Sequence, residues 1–391
     1  MPEQATIVTT TAGSEGSRRS GGAYALFLGT KTFASLDGLR AIAILVVLWH
    51  HTYDGTARWP LVHRGFLGVD LFFVISGFLI VTLLRRERRR TGDISLRGFY
   101  VRRFLRIFPP YYLVLALVGG VAFLLPGNTS AAIRRDLPYS AFYVSNLVPM
   151  LSMLAITWSL STEEQFYVVV PTLEKYLPRT FPMLLPAAYV LLSLPPFGLL
   201  SGIPWPGFFL QTTFGPILLG VMLAHILDDP RGYRLLHRLL GHWASPLIAL
   251  ALVLLVTSYP GDDISGWPRI AIHATMFVLV ASCVIREDQA LRPVLTLWPM
   301  RRIGVVSYGI YLYHMMVRHG VAKGMAVADL SSQWVFFVGT TLATWLVAEM
   351  SFRLFEQRFL ALKGALAPER PRPGTAGPAR QPSESPATPA S

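Results

Sequence analysis

Ten apolar stretches of near bilayer-spanning length recur along this chain, at residues 34–53, 66–84, 110–126, 159–177, 182–200, 208–227, 245–259, 268–285, 303–321 and 334–356. Stretches of this length cross a membrane as helices. With 52% hydrophobic and only 15% charged residues, the 391-residue chain is too apolar for a soluble domain. The expected fold is an all-α polytopic membrane protein: a bundle of about ten transmembrane helices with no soluble domain.

Charge gives the orientation. If the amino terminus is cytosolic, 27 of the 35 Lys and Arg fall on cytosolic segments, seven on outer ones, and Arg40 lies inside the first span. A further apolar patch at 138–154 would reverse all that follows if it spanned, placing Arg231, Arg234, Arg238, Arg301 and Arg302 outside. It therefore reads as a surface or partly inserted segment. The short connections at 201–207 and 259–268 read as outer turns. The expected location is the plasma (inner) membrane, multi-pass, with both termini cytoplasmic. Residues 1–31, rich in Thr, Ser, Gly and Arg, read as a disordered cytosolic tail rather than a cleaved signal peptide. Residues 363–391, rich in Pro, Ala and Ser, read as a second disordered tail, leaving 32–362 as the membrane domain.

The net charge of +13 is spread between apolar spans and no nucleic-acid-binding module accompanies it, so nucleic acid is not an expected partner. Membrane lipid is. A single Cys283 allows neither a disulfide framework nor a thiolate metal site, and the crowded His50, His51 and Asp54 have no second ligand cluster, so no metal is expected. There is no phosphate-cradling glycine loop, nucleophile elbow or dinucleotide fingerprint.

Four constellations carry chemistry. In LDGLRAIAILVVLWHH, Arg40 and His51 are eleven residues apart, hence about 20° apart around a helix and roughly 16 Å along it. An arginine in hydrocarbon costs about 2.5–3.5 kcal/mol on insertion scales, so Arg40 is either a site residue or a side chain snorkelling to the interface, and His51 a base or a boundary marker. Nine arginines lie between residues 85 and 106. The first run, 85–90, suits an orientation signal facing anionic lipid, whereas Arg102, Arg103 and Arg106 suit a phosphate fork, with Arg102 and Arg106 at i, i+4. In WSLSTEEQFYVVVP, Glu163 and Glu164 either start a helix capped by Ser161 or Thr162, or orient His51 or an acceptor hydroxyl. Ser307, Tyr311 and His314 form a stripe at i, i+4 and i+7, and Asp70 and Ser76 in GVDLFFVISGFLI offer a partner to one of the histidines.

Taken in order, LDGLRAIAILVVLWHH, GVDLFFVISGFLI, RRFLRIFPPYY, WSLSTEEQFY and SYGIYLYH resemble the acyltransferase-3 family of integral membrane O-acyltransferases, over about residues 33–362. The arginine, ten residues and histidine of its first-helix motif fall on Arg40 and His51. Met315 and Met316 follow His314 where the family often has a small residue and proline. The resemblance implies transfer of an acyl group, commonly acetyl, from cytosolic acyl-coenzyme A to a hydroxyl on a carbohydrate-bearing acceptor. On that reading Arg102, Arg103 and Arg106 hold the coenzyme A phosphates, Arg40 continues the positive path, and His51 is the general base, with Glu163 or Glu164 holding the histidine or the sugar. A transporter using Arg40 and His51 as a substrate or proton relay is the competing expectation.

Overall fold

The described part of the chain is built from helices whose ends are set by local chemistry. The computed structural model describes residues 22–55, 59–193, 206–261, 264 and 266–367, with the side chains of 192–213 outside that description. In chain order the helices are α1 (Gly22–Gly29), α2 (Ala34–Thr52), α3 (Gly68–Thr91), α4 (Leu96–Leu124), α5 (Asn128–Ala141), α6 (Thr157–Tyr176) and α7 (Thr180–Ser193). They continue as α8 (Pro206–Asp228), α9 (Pro230–Leu240), α10 (Ser245–Thr257), α11 (Trp267–Ile285), α12 (Trp298–Val305), α13 (Ser307–Val327) and α14 (Gln333–Ser351). No strand occurs among the described residues. Ser95 caps α4 by accepting from the Gly98 N–H, Asp229 caps α9 ahead of Pro230, and Gly92 ends α3 at φ +82°.

Among the described residues, Gly65–Thr91, Leu96–Leu124, Trp267–Ile285 and Gln333–Leu366 are each long and apolar enough to cross a membrane. Two bent pairs, α1 with α2 at 63° and α9 with α10 at 78°, raise the four to six. Several of the other expected spans carry charge within the helix, such as Glu163, Glu164 and Glu174 in α6, or are short, such as α7 with 14 residues. The third span begins earlier than 110: α4 runs from Leu96 straight through Pro109 and Pro110, so Arg102, Arg103 and Arg106 belong to the same continuous helix. Membrane helices tolerate such prolines, and beside them α4 is tied to α13, where Tyr308 donates its hydroxyl to the Ile107 carbonyl at 3.1 Å. Residues 138–154 form the end of α5 and two short 3₁₀ turns, pinned by Asp136, which accepts from the N–H groups of Leu151 and Ser152.

α2 runs through the core, burying Leu36, Leu39, Ala43, Ile44, Val47 and Leu48, positions that recur on one side of the helix. α3 and α8 cross with their backbones in contact, because Gly77 faces the Ile217 carbonyl and Gly220 the Val74 carbonyl. A methyl added at Gly220 would lie 2.1 Å from the Val74 oxygen. Gly220→Ala is therefore expected to cost about 1–3 kcal/mol by overpacking and to lower the thermal midpoint in detergent. Gly120→Ala, whose Cβ meets nothing within 4 Å, serves as the neutral control in the same melt.

Two expectations about the chain ends change. Residues 22–29, placed by sequence in the flexible tail, form α1, which buries Phe27 and donates the Tyr24 hydroxyl to the Asp228 carbonyl at 2.6 Å. Residues 363–366 form a short helix, so structure extends past 362. The remaining tail residues, 1–21 and 368–391, and residues 201–205 of the expected outer turn lie outside the described residues. The arginine run 85–90 also reads differently once folded. Arg85 and Arg89 pair with Asp228 at 2.5 and 2.7 Å, Arg88 donates to the Lys175 carbonyl, and Arg86 donates to the Phe27 and Thr30 carbonyls. Buried Glu174, 2.5 Å from His225, completes a latch that joins neighbouring ends of α3, α6 and α8. At least four of these arginines have protein partners, where the sequence reading offered them to lipid.

Candidate active site

A cavity of about 390 Å³ opens between α2, α3, α4, α6 and α13. Its wall brings together Arg40, Ser76, Arg103, Arg106, Glu163, Ser307 and Tyr311 from the residues expected by sequence, and adds Lys31, Arg86, Tyr167 and Tyr308. The lining has five cations, Lys31, Arg40, Arg86, Arg103 and Arg106, against two carboxylates, Asp37 and Glu163. Both acids are already engaged. Asp37 pairs with Arg40 at 3.2 Å, and Glu163 accepts the Tyr167 hydroxyl one helical turn on. Arg86 is held by carbonyls and by the Phe27 and Phe33 rings.

Arg103 and Arg106 are different. Arg103 lies over the rings of Phe99 and Tyr167 at 5.6 and 5.3 Å and, among the described residues, makes no hydrogen bond or ion pair. Arg106 makes none either, and its side chain is open to the cavity, with Arg103, Arg40, Tyr167 and Glu163 as its electrostatic surroundings. With five cations to two carboxylates on its lining, this wall carries an excess of positive charge that favours an anionic occupant.

The expected fork thus shifts by one residue. Arg102 and Arg106 are 40° apart on α4 and Arg103 and Arg106 are 60° apart, so either pair could share a face. Glu87 at the end of α3 takes Arg102 at 3.3 Å and draws it away, leaving Arg103 with Arg106 at the cavity.

Other expected residues also sort themselves. α6 begins at Thr157, so Glu163 and Glu164 sit in its second turn, and Ser161 and Thr162 are not caps: they bond Ser145 and the Trp158 carbonyl. Glu164, about 100° round the helix from Glu163, does not line the cavity. Asp70 is buried in a cluster with Arg269 at 2.8 Å and His273 at 3.1 Å, so its histidine is neither His51 nor His314.

His51 and His314 meet each other instead. His314 Nε2 is 3.3 Å from His51 Nδ1, His51 Nδ1 is 3.0 Å from the Val47 carbonyl, and His314 Nδ1 is 2.6 Å from the Tyr311 carbonyl. The end of α2 is pinned beside them, since Arg318 donates to the His51 carbonyl and Gln333 to that of Thr52. Neither carboxylate of the acidic pair holds His51. Nor does either histidine line the cavity, which reaches along α2 only as far as Arg40. Tyr311 stands between: its ring closes the cavity, its hydroxyl is 2.7 Å from Ser159 Oγ and 2.9 Å from the Ile156 carbonyl, and its own carbonyl seats His314.

Lys31 and Arg86 escaped sequence reading because one lay in an assumed tail and the other inside a longer basic run. Tyr167 had a signal, its i, i+4 spacing from Glu163. Among the described residues no group of three His, Cys, Asp or Glu side chains is arranged to hold a metal.

These features define a helical membrane protein with a cation-walled chamber and a histidine pair one tyrosine beyond it. The sequence pattern of the acyltransferase-3 family's acyltransferase domain matches residues 33–349, and the chain belongs to that family. It is 27% identical over 361 residues to the peptidoglycan O-acetyltransferase OatA of Listeria monocytogenes, covering 83% of this chain and 55% of that protein. It is 29% identical over 351 residues to the O-acetyltransferase OatA of Staphylococcus aureus, covering 82% of this chain and 56% of that one. The chain thus spans little more than half the length of these curated relatives. No solved structure matches it.

Proposed function

We propose that this chain transfers an acyl group, acetyl in the simplest case, from cytosolic acyl-coenzyme A to a hydroxyl of a carbohydrate-bearing acceptor across the plasma membrane. The observation that carries the reading is the pair Arg103 and Arg106, two guanidinium groups that form no ion pair among the described residues, facing one chamber. Coenzyme A supplies a pyrophosphate and a ribose phosphate, which match planar guanidinium donors in charge and geometry. Arg40, Arg86 and Lys31 extend the same field. The distribution of Lys and Arg supports a cytosolic amino terminus, and on that orientation the chamber lies on the inner side, next to the arginine-rich end of α3.

From the chamber to His51 is the length of α2 between residues 40 and 51, about 16 Å, which the extended arm of the donor has to cover past Tyr311. At its far end His51 takes the proton of the acceptor hydroxyl as the oxygen attacks the thioester carbonyl. The carbon–oxygen bond forms, the carbon–sulfur bond breaks, and the leaving thiolate receives the proton. A glycan acceptor is supported by the name of the Listeria relative, whose substrate is peptidoglycan.

Purified protein given radiolabelled acetyl-coenzyme A and an N-acetylhexosamine oligomer is expected to release free thiol and label the sugar in equal amounts. Movement of a solute into proteoliposomes with no thioester consumed would instead establish the transporter reading.

A further inference from the structure

The contacts of His51 and His314 fix where their protons sit. A carbonyl oxygen only accepts, so His314 donates from Nδ1 to Tyr311 and His51 donates from Nδ1 to Val47. His314 Nε2 is then a bare lone pair, and it faces the same His51 Nδ1–H at 3.3 Å as a second acceptor. His51 Nε2 is left unprotonated, and among the described residues it has no hydrogen-bond partner.

We propose that His314 is a positioning residue for the transfer reaction: it fixes the tautomer and rotation of His51 so that Nε2 is the base. The inference rests on the transfer reading above and adds to it the group that orients the base. When Nε2 takes the acceptor proton, His51 becomes an imidazolium, and its Nδ1–H bond to His314 strengthens. When Nε2 returns that proton to the thiolate, the pair relaxes. A carboxylate commonly fills this orienting role, but a lone anion beside a membrane-embedded histidine pays a large desolvation cost that a neutral imidazole avoids. Among the described residues no other charged or titratable side chain hydrogen-bonds the His51 ring. His50, with its ring 5.2 Å away, directs Nδ1 to the His63 carbonyl, and Arg318 donates to the His51 backbone. Full burial of His314 and its seat on the Tyr311 carbonyl hold the geometry without a solvent partner.

Two measurements on the full chain in nanodiscs test this. In histidine nitrogen-15 spectra at neutral pH, His51 is expected to show a protonated Nδ1 and an unprotonated Nε2; the reverse pattern overturns the proposal whatever the acceptor proves to be. In the thiol-release assay with acetyl-coenzyme A and the N-acetylhexosamine oligomer, His314→Ala is expected to lower kcat about 10²-fold with KM for the donor unchanged, less than the roughly 10⁴-fold that a wrong tautomer costs in hydrolytic triads because the Val47 carbonyl still accepts from Nδ1. His314→Gln, whose amide oxygen can accept from His51 Nδ1, should restore about a tenth or more of the rate. Wild-type kcat in His314→Ala beside a dead His51→Ala removes His314 and leaves the transfer reading standing. Wild-type kcat in His51→Ala removes both. Retained acetyl-coenzyme A binding in each variant reports an intact fold.

Discussion

His51→Ala is expected to lower acceptor-dependent thiol release about 10²–10⁴-fold while leaving the dissociation constant for acetyl-coenzyme A within a factor of about two, the range that positioned general bases contribute. The separation of effects follows from the geometry. On the proposed reading the donor's phosphates meet the wall at Arg103 and Arg106, in the chamber that Arg40 also lines; Arg40 is roughly three helical turns along α2 from His51, and Tyr311 intervenes. Equilibrium binding by calorimetry and single-turnover rates on the same preparation distinguish the two. A parallel loss of binding and rate would mean that His51 supports the fold of the chamber rather than the chemistry.

Arg103→Ala combined with Arg106→Ala has the opposite signature. Each guanidinium is expected to make charge-assisted hydrogen bonds worth about 1.5–3 kcal/mol, so the double variant should weaken acetyl-coenzyme A binding by about 10² or more at low salt. The wild-type advantage should shrink as salt rises, since the chamber opens to solvent and ions screen it. Arg102→Ala is the internal contrast. Its side chain is turned to Glu87, 3.3 Å away, so its loss should change affinity only a few-fold. Equal losses from Arg102 and from the Arg103 and Arg106 pair would point to diffuse attraction by the whole basic segment and against a built phosphate site.

The contrast between these arginines shows where sequence reading stops. Apolar length and the distribution of Lys and Arg were enough to announce a helical membrane protein, and the motif residues Arg40, Arg106 and Glu163 do converge on one cavity. Spacing alone could not choose between Arg102 and Arg103, because both lie within 60° of Arg106 on the helix. The choice is made by Glu87, a residue on another helix. The same limit applies to Asp70, whose partners Arg269 and His273 are about 200 residues away in the chain, and to His51 and His314, which are 263 residues apart. Helix α1 was missed for a different reason: eight residues, with a glycine at each end, carry too little periodicity to register, and only docking of Phe27 and Tyr24 on the bundle holds them helical.

Tyr311 belongs to both halves of the machinery, as the end wall of the arginine chamber and, through its backbone, as the anchor of His314. A displacement of this single residue is registered on each side of it. Substitutions that alter how the donor fills its compartment and substitutions that alter the aim of the imidazole therefore share one mechanical fulcrum, and their free energies do not add as those of independent sites do.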